Sequence, residues 1–255
     1  MSEISFRLKL VYDNLKISDI DLCLEKLLKF SPNRIDVLDD VYTKNKLVDF
    51  INSIFTEQPS FIFTLSDSSG NSMTVNKENN QIIFFSRINF ELFSSSDLFE
   101  EITEVFVSNN GLFAYIVSTE DHFWQNNSSV DVYKRRNRSL EDIKVIPIPK
   151  MRNRWNVDIE QFPGHNHNYR GLWFGSCSMM WYGNEYFNYF NRKEFEAFSE
   201  CEEVLSLKNG GYFVKLYSNP LNYEDVENRN RQWAFRSATN LDLVAENVKE
   251  LLKTK

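Results

Sequence analysis

The chain opens with a period of two. In "EISFRLKLVY" the apolar Ile4, Phe6, Leu8 and Leu10 alternate with Ser5, Arg7 and Lys9, the pattern of a strand with one face buried. "SDIDLCLEKLLKFSP" switches to the helical period: Ile20, Cys23, Leu24, Leu27 and Leu28 share one face. Ser18 is its expected N-cap, Asp19 and Asp21 suit the positive end, and Ser31-Pro32 is a stop. A second helix is expected within "IDVLDDVYTKNKLVDFINSIF". From Ser60 the period returns to two, and "SFIFTLSDSSGNSMTVNKENNQIIFFSRINFELF" reads as strands separated by the turn-rich "SDSSGNS" and "NKENN". "SSSDLFEEITEVFVSNNG" is a capped helix that stops at Asn109-Asn110-Gly111. "GLFAYIVST" is a strand apolar enough to be buried on both faces.

Residues 120–169 are the least regular and read as a linker or a long crossover, with "NNSS", "YKRRNR" and "VIPIP" in succession. After Arg170, "GLWFGSCSMMWYGNEYFNYF" predicts two strands with a turn near Gly183-Asn184. "RKEFEAFSECEEVLSL" predicts a helix, "KNGG" a stop and "YFVKLYS" a strand. The last element is a helix with Leu241, Val244, Ala245, Val248 and Leu251 or Leu252 as its apolar stripe; Thr239 is its expected cap, with Asp242 as capping-box partner.

Two stretches align: "LFEEITEVFVSNNGLFAYIVS" and "AFSECEEVLSLKNGGYFVKLYS". Phe99 meets Phe198, Glu104-Val105-Phe106 meets Glu203-Val204-Leu205, and Asn110-Gly111 meets Asn209-Gly210. The match suggests a duplicated β-β-α-β unit; chance likeness between amphipathic helices is the alternative. The expected fold is therefore α+β, a largely antiparallel sheet with flanking helices. It divides into an N-terminal half (1–119), an irregular connection (120–169) and a C-terminal half (170–255), which can pack as one domain.

Composition narrows the function more than the fold. The 255 residues are 42% hydrophobic and 15% aromatic, ample for a packed core. Net charge is −7, the wrong sign for a nucleic-acid binder that must neutralise phosphates. Eight glycines form no phosphate-cradling motif. Three cysteines, Cys23, Cys177 and Cys201, are too few and too odd for a disulfide framework and fit a reducing compartment. With no basic, apolar leader and no membrane-length apolar run, a cytoplasmic location and no membrane partner are expected.

Candidate chemistry concentrates in "PGHNHNYRGLWFGSCSMMWYG". His165 and His167 stand at H-x-H spacing, and with His122 they are the chain's only histidines. A metal-dependent hydrolase built on His122, His165 and His167 is one alternative, which needs the three rings to converge. Ser176 lies in G-S-C-S-M, which fails the G-x-S-x-G elbow, and Cys177 falls on an alternating strand pattern with the character of a buried thiol. Pro163 to Tyr169 reads as an exposed polar loop, suited to partner contact through His165, His167 and Tyr169. The basic run Lys134, Arg135, Arg136 and Arg138 supports a further alternative, a scaffold or RNA-binding module. The acidic runs "ECEE" and "NYEDVEN", with Glu224, Asp225 and Glu227, are what an inhibitor presents to a basic protein. No cofactor and no structural metal is expected.

Roughly the last ninety residues carry a family likeness. The strand ending Leu216-Tyr217, followed by Pro220, Tyr223, Asn230, Gln232 and Trp233 before a final helix, resembles immunity proteins of bacterial polymorphic and contact-dependent toxin systems. The resemblance implies a cytoplasmic, non-catalytic protein that binds one cognate toxin tightly, basic nucleases being among such toxins. It transfers no catalytic residue and no set of toxin contacts.

Overall fold

The computed structural model describes residues 2–36, 40–41, 43–149, 151 and 153–253. The chain runs β1 (Glu3–Val11), α1 (Ile17–Leu27), the short β2 (Arg34–Ile35) and β3 (Asp40–Val41), and α2 (Lys44–Glu57). A meander follows, β4 (Ser60–Ser66), β5 (Ser72–Glu78) and β6 (Gln81–Asn89), then α3 (Phe90–Ser95), α4 (Leu98–Ser108) and β7 (Gly111–Ser118). Next come α5 (Thr119–Asn126), α6 (Val130–Arg135), β8 (Val145–Pro147), β9 (Trp155–Val157), β10 (His167–Tyr169), β11 (Leu172–Phe174) and β12 (Met179–Tyr182). The chain ends with α7 (Arg192–Ala197), β13 (Glu203–Ser206), β14 (Tyr212–Lys215), α8 (Val226–Ala238) and α9 (Leu241–Lys253).

Ten strands form one antiparallel sheet in the order β13-β14-β12-β7-β1-β6-β5-β4-β2-β3. The α+β class, the antiparallel sheet and the flanking helices are as the sequence predicts. The pleat sends alternate residues to opposite faces. On one face Ile4, Phe6, Leu8, Phe84, Ala114, Ile116 and Trp181 join Ile20, Leu24 and Leu27 of α1 and Ile102 and Phe106 of α4 in the larger core. On the other, Phe113, Tyr115, Met180, Tyr182 and Val214 join Trp173 and Phe174 of β11, Phe235 of α8 and Ala245 and Val248 of α9. β7 sits where both cores meet, so every residue of it is buried. Over β4, β5 and β6 only the first face is covered, and outward residues such as Ile62, 59% exposed, meet solvent.

Several local expectations are corrected. α1 starts ahead of Ser18, with Lys16 as cap residue and Asp19 accepting from the Lys16 N–H. The helix expected over residues 35–55 is confined to α2, capped by Thr43 Oγ1 accepting from Lys46 N; residues 37–39 and 42 lie outside the described residues. The irregular stretch holds two helices and three short strands, with a small core of Trp124, Tyr133 and Val157. "GNEYFNYF" forms no strand after β12 but a 3-10 turn, Asn184–Asn188. The long helix expected after Arg192 ends at Ala197, and Glu203–Ser206 is an edge strand whose Glu203 pairs with Lys215 across the ladder at 2.9 Å. The duplication therefore fails at its helix: Glu104-Val105-Phe106 is helical, while Glu203-Val204-Leu205 is extended.

"YEDVENRNRQWAFRSA", read as no element, contains the helix α8. Its buried side is polar, Asn228, Gln232 and Arg236 beside Phe235, so no apolar period announces it. Thr239 closes α8 instead of opening α9: its hydroxyl donates to Phe235 O at 2.7 Å. On α9, Leu251 is largely exposed, and the side chain of Leu252 lies outside the described residues.

Candidate functional site

The segment Pro163–Tyr169 is not an exposed loop. Pro163, Gly164 and His165 are buried, His165 to 2% exposure. α5 holds the segment from one side. Gln125 Oε1 accepts from Gly164 N at 2.5 Å, and Asn126 Oδ1 accepts from both Asn166 N and Asn166 Nδ2 at 2.8 and 2.7 Å. α8 holds it from the other through Arg236, itself 2% exposed. Arg236 Nη1 donates to Pro163 O (3.1 Å) and His165 O (2.9 Å), and Nη2 donates to His165 Nε2 (2.5 Å). Its Nε reaches Asp242 Oδ2 at 3.2 Å, and Nη2 also meets Asp242 Oδ1. Since Phe162 O can only accept, the 2.6 Å contact makes His165 Nδ1 the donor and leaves Nε2 as acceptor for Arg236. Burial pushes the Asp242 carboxyl up, but the hydrogen bonds and positive charge of Arg236 outweigh it and hold the pKa at about 2.

A second pair, Arg229 partly exposed against the buried Asp121, extends this bundle. Arg229 Nη2 donates to Asp121 Oδ1 at 2.7 Å and Arg229 Nη1 to Gln232 Oε1 at 3.1 Å; Gln232 Nε2 in turn donates to Ser176 O. Ser176 Oγ donates to Pro163 O at 2.6 Å, so the serine is a tie for the loop. Cys177 is enclosed, and burial drives its thiol far above the ordinary range, the state of a poor nucleophile.

The three histidines separate. His165 and His167 lie with ring centroids 5.4 Å apart, beside a shallow cavity of about 380 Å³ shared with Glu160, Asp242 and Glu246. His122 is elsewhere, on α5, stacked on Tyr115 at 5.6 Å; burial and the nearby Arg7 and Arg87 lower its pKa to about 4. Among the described residues no three His, Cys, Asp or Glu side chains are grouped so as to hold a metal ion. His167 and Tyr169, stacked at 5.6 Å, are half-buried on the β10–β11 hairpin. That hairpin turns on Arg170 and Gly171, both at positive φ, and Lys9 Nζ donates to Gly171 O across the sheet at 3.2 Å.

The two acidic runs, far apart in sequence, share a face. Glu224, Asp225 and Glu227 are exposed at the start of α8, and Glu202 is exposed just before β13. Arg231 links the runs, contacting Glu227 Oε1 at 2.5 Å and Glu202 Oε1 at 3.7 Å while Nη1 donates to Leu216 O at 2.9 Å. Val226, 74% exposed, stands among these carboxylates, and Trp233 of the same helix is 39% exposed. Of the residues carrying the family likeness, Leu216, Tyr217, Pro220 and Gln232 are buried supports, whereas Trp233 faces outward. The basic run is exposed, but two of its members lie on rings: Arg136 over Phe123 at 4.6 Å and Arg138 over Trp124 at 4.4 Å.

Sequence reasoning missed Arg231, Arg236 and Asp121, the charges that organise both regions. The available signal was a polar four-residue spacing, Asn228-Gln232-Arg236, which becomes legible once the segment is known to be a helix. The chain is thus an α+β protein built on a ten-stranded antiparallel sheet, and no helix of the described residues is long and apolar enough to cross a membrane. Comparison with protein-family models, with curated proteins and with solved structures finds no match to it.

Proposed function

We propose that this chain is a binding protein of the immunity class, which neutralises a basic protein toxin by covering it with its acidic face. The observation that carries the reading is the junction of two acidic runs by Arg231. Glu202, Glu224, Asp225 and Glu227 form one exposed negative patch around the exposed Val226, with Trp233 on the same helix. Such a patch supplies what a protein interface needs: charge to steer encounter and set register, and apolar and aromatic groups to anchor the contact. Arg231 fixes the geometry of the patch before any partner arrives, lowering the ordering cost of association.

Other features agree. The reactive side chains of the Pro163–Gly183 region are occupied in holding the fold: Ser176 by Pro163 O, His165 by Phe162 O and Arg236, and Cys177 by burial. The reading is tested by coexpressing the chain with any toxin-like protein encoded beside its gene and by titrating the purified pair. Protection of the cells and a stoichiometric complex are expected; the absence of both ends the proposal.

A further inference from the structure

A second surface, bordered by Arg87, Arg136, Glu3 and Glu120, leaves its two arginines without an ion pair among the described residues. Where β4, β5 and β6 lose their cover, α5 overhangs the bare sheet and leaves a groove of about 870 Å³. Its walls include Ser5, Phe85 and Arg87 of the sheet, His122 of α5, Arg136 just after α6, and Tyr223. Two guanidinium groups lie on rings of this groove, Arg87 over Phe85 at 5.4 Å and Arg136 over Phe123 at 4.6 Å. Among the described residues neither makes an ion pair or a side-chain hydrogen bond, whereas Arg229, Arg231 and Arg236 each hold a carboxylate. Arg7 adjoins them on β1, over Phe113 at 5.6 Å, also with no carboxylate partner among the described residues.

We propose that this groove binds an acidic peptide segment, whose carboxylates are taken by Arg87 and Arg136 and whose apolar side chains rest on Phe85, Phe123 and Tyr223. A guanidinium laid on a ring is held in plane with its N–H edge free, the geometry that grips a carboxylate through two parallel hydrogen bonds. Small-molecule pockets are enclosed and mostly apolar; this groove is open and mostly polar, which suits a segment of chain. Glu3 and Glu120 also border it and oppose the dense charge of a polyphosphate, while carboxylates spaced along a peptide can avoid them. The groove meets the acidic face at Tyr223, which adjoins Glu224, but Arg87 and Arg136 lie outside that face.

The test uses the intact protein and a dye-labelled peptide, EEFEEFEE, followed by fluorescence anisotropy, with QQFQQFQQ as the neutral control and pyrophosphate as competitor. The glutamate peptide is expected to bind, more weakly as salt is raised, and the glutamine peptide to bind at least tenfold more weakly. Arg87→Gln and Arg136→Gln should each reduce affinity roughly tenfold, the effect of losing one charge-assisted contact, with the melting temperature unchanged. Glu200→Gln, a substitution of equal charge change at a residue lining a different cavity, should leave peptide binding as it is. Equal affinity for the two peptides, or indifference to both arginine substitutions, would overturn the inference. Displacement by pyrophosphate at lower concentration than unlabelled glutamate peptide would also overturn it, by assigning the groove to phosphate.

Discussion

Replacing Arg236 by Met tests how the Pro163–Tyr169 segment is held. The substitution keeps an apolar stem of similar length and deletes the guanidinium. Pro163 O keeps its bond from Ser176 Oγ, and Asp242, half-exposed, can turn to water. His165 O and His165 Nε2 lose their donor in a buried site. Two orphaned acceptors at about 1–3 kcal/mol each give about 2–6 kcal/mol, a range that contains the roughly 3–5 kcal/mol typical of breaking a buried ion pair from one side. At roughly 2–4 °C per kcal/mol for a chain of this size, a loss of about 3 kcal/mol lowers the melting temperature by roughly 6–12 °C. Asp242→Asn keeps an acceptor for Arg236 and should cost less, about 1–2 kcal/mol. Urea unfolding gives the free energies and calorimetry the midpoints. An Arg236→Met protein within about 1 kcal/mol of the parent would refute the reasoning, because such a cost fits an exposed, dispensable contact.

The other expectations are briefer. His122 has a folded pKa of about 4 against an ordinary 6.5, so the unfolded chain binds the extra proton first; stability is therefore lost as pH falls from 6.5 towards 4, by at most about 3 kcal/mol. His122→Phe should flatten that part of the stability–pH curve, and an unchanged slope would count against the assignment. The Asp242 pKa is shifted in the same direction, downward, at a lower pH: its contribution is full above 3.8 and is lost as pH falls towards 2, a loss that Arg236→Met should reduce in acid titrations. Of the three thiols, Cys201 should react first with a thiol reagent under native conditions, since Cys23 and Cys177 are buried; labelling of Cys177 at a comparable rate would contradict the core assignment. Gly171→Ala places a Cβ at φ +76° and within 2.7 Å of Lys9 Nζ, and should cost at least about 1 kcal/mol in urea unfolding.

The strands and helices with apolar periodicity were legible: β1, β4 to β7, α1, α4 and α9 all follow from alternation or from the helical stripe. Legibility failed where burial is polar. α8 packs Asn228, Gln232 and Arg236 inward, so its stripe reads as a solvated loop until Asp121, Ser176 and His165 arrive from distant positions to meet it. Pro163–His165 misled for the same reason, a polar stretch drawn inward by hydrogen bonds that no local pattern encodes. The segment after Ala197 misled differently. "ECEEVLSL" has residues that suit a helix, but β14 offers an open sheet edge, and pairing with it decides the outcome. The acidic runs were visible as runs; their union on one face depends on Arg231, which composition cannot place.

The most direct measurement of the central claim is the affinity of this chain for the toxin proposed as its partner as the acidic face is neutralised. Glu202→Gln, Glu224→Gln and Glu227→Gln together should slow association and weaken the complex at least tenfold at low salt, with the difference shrinking as salt is raised. A complex of undiminished affinity and association rate, formed by a triple variant that melts like the parent, would contradict the assignment of that face.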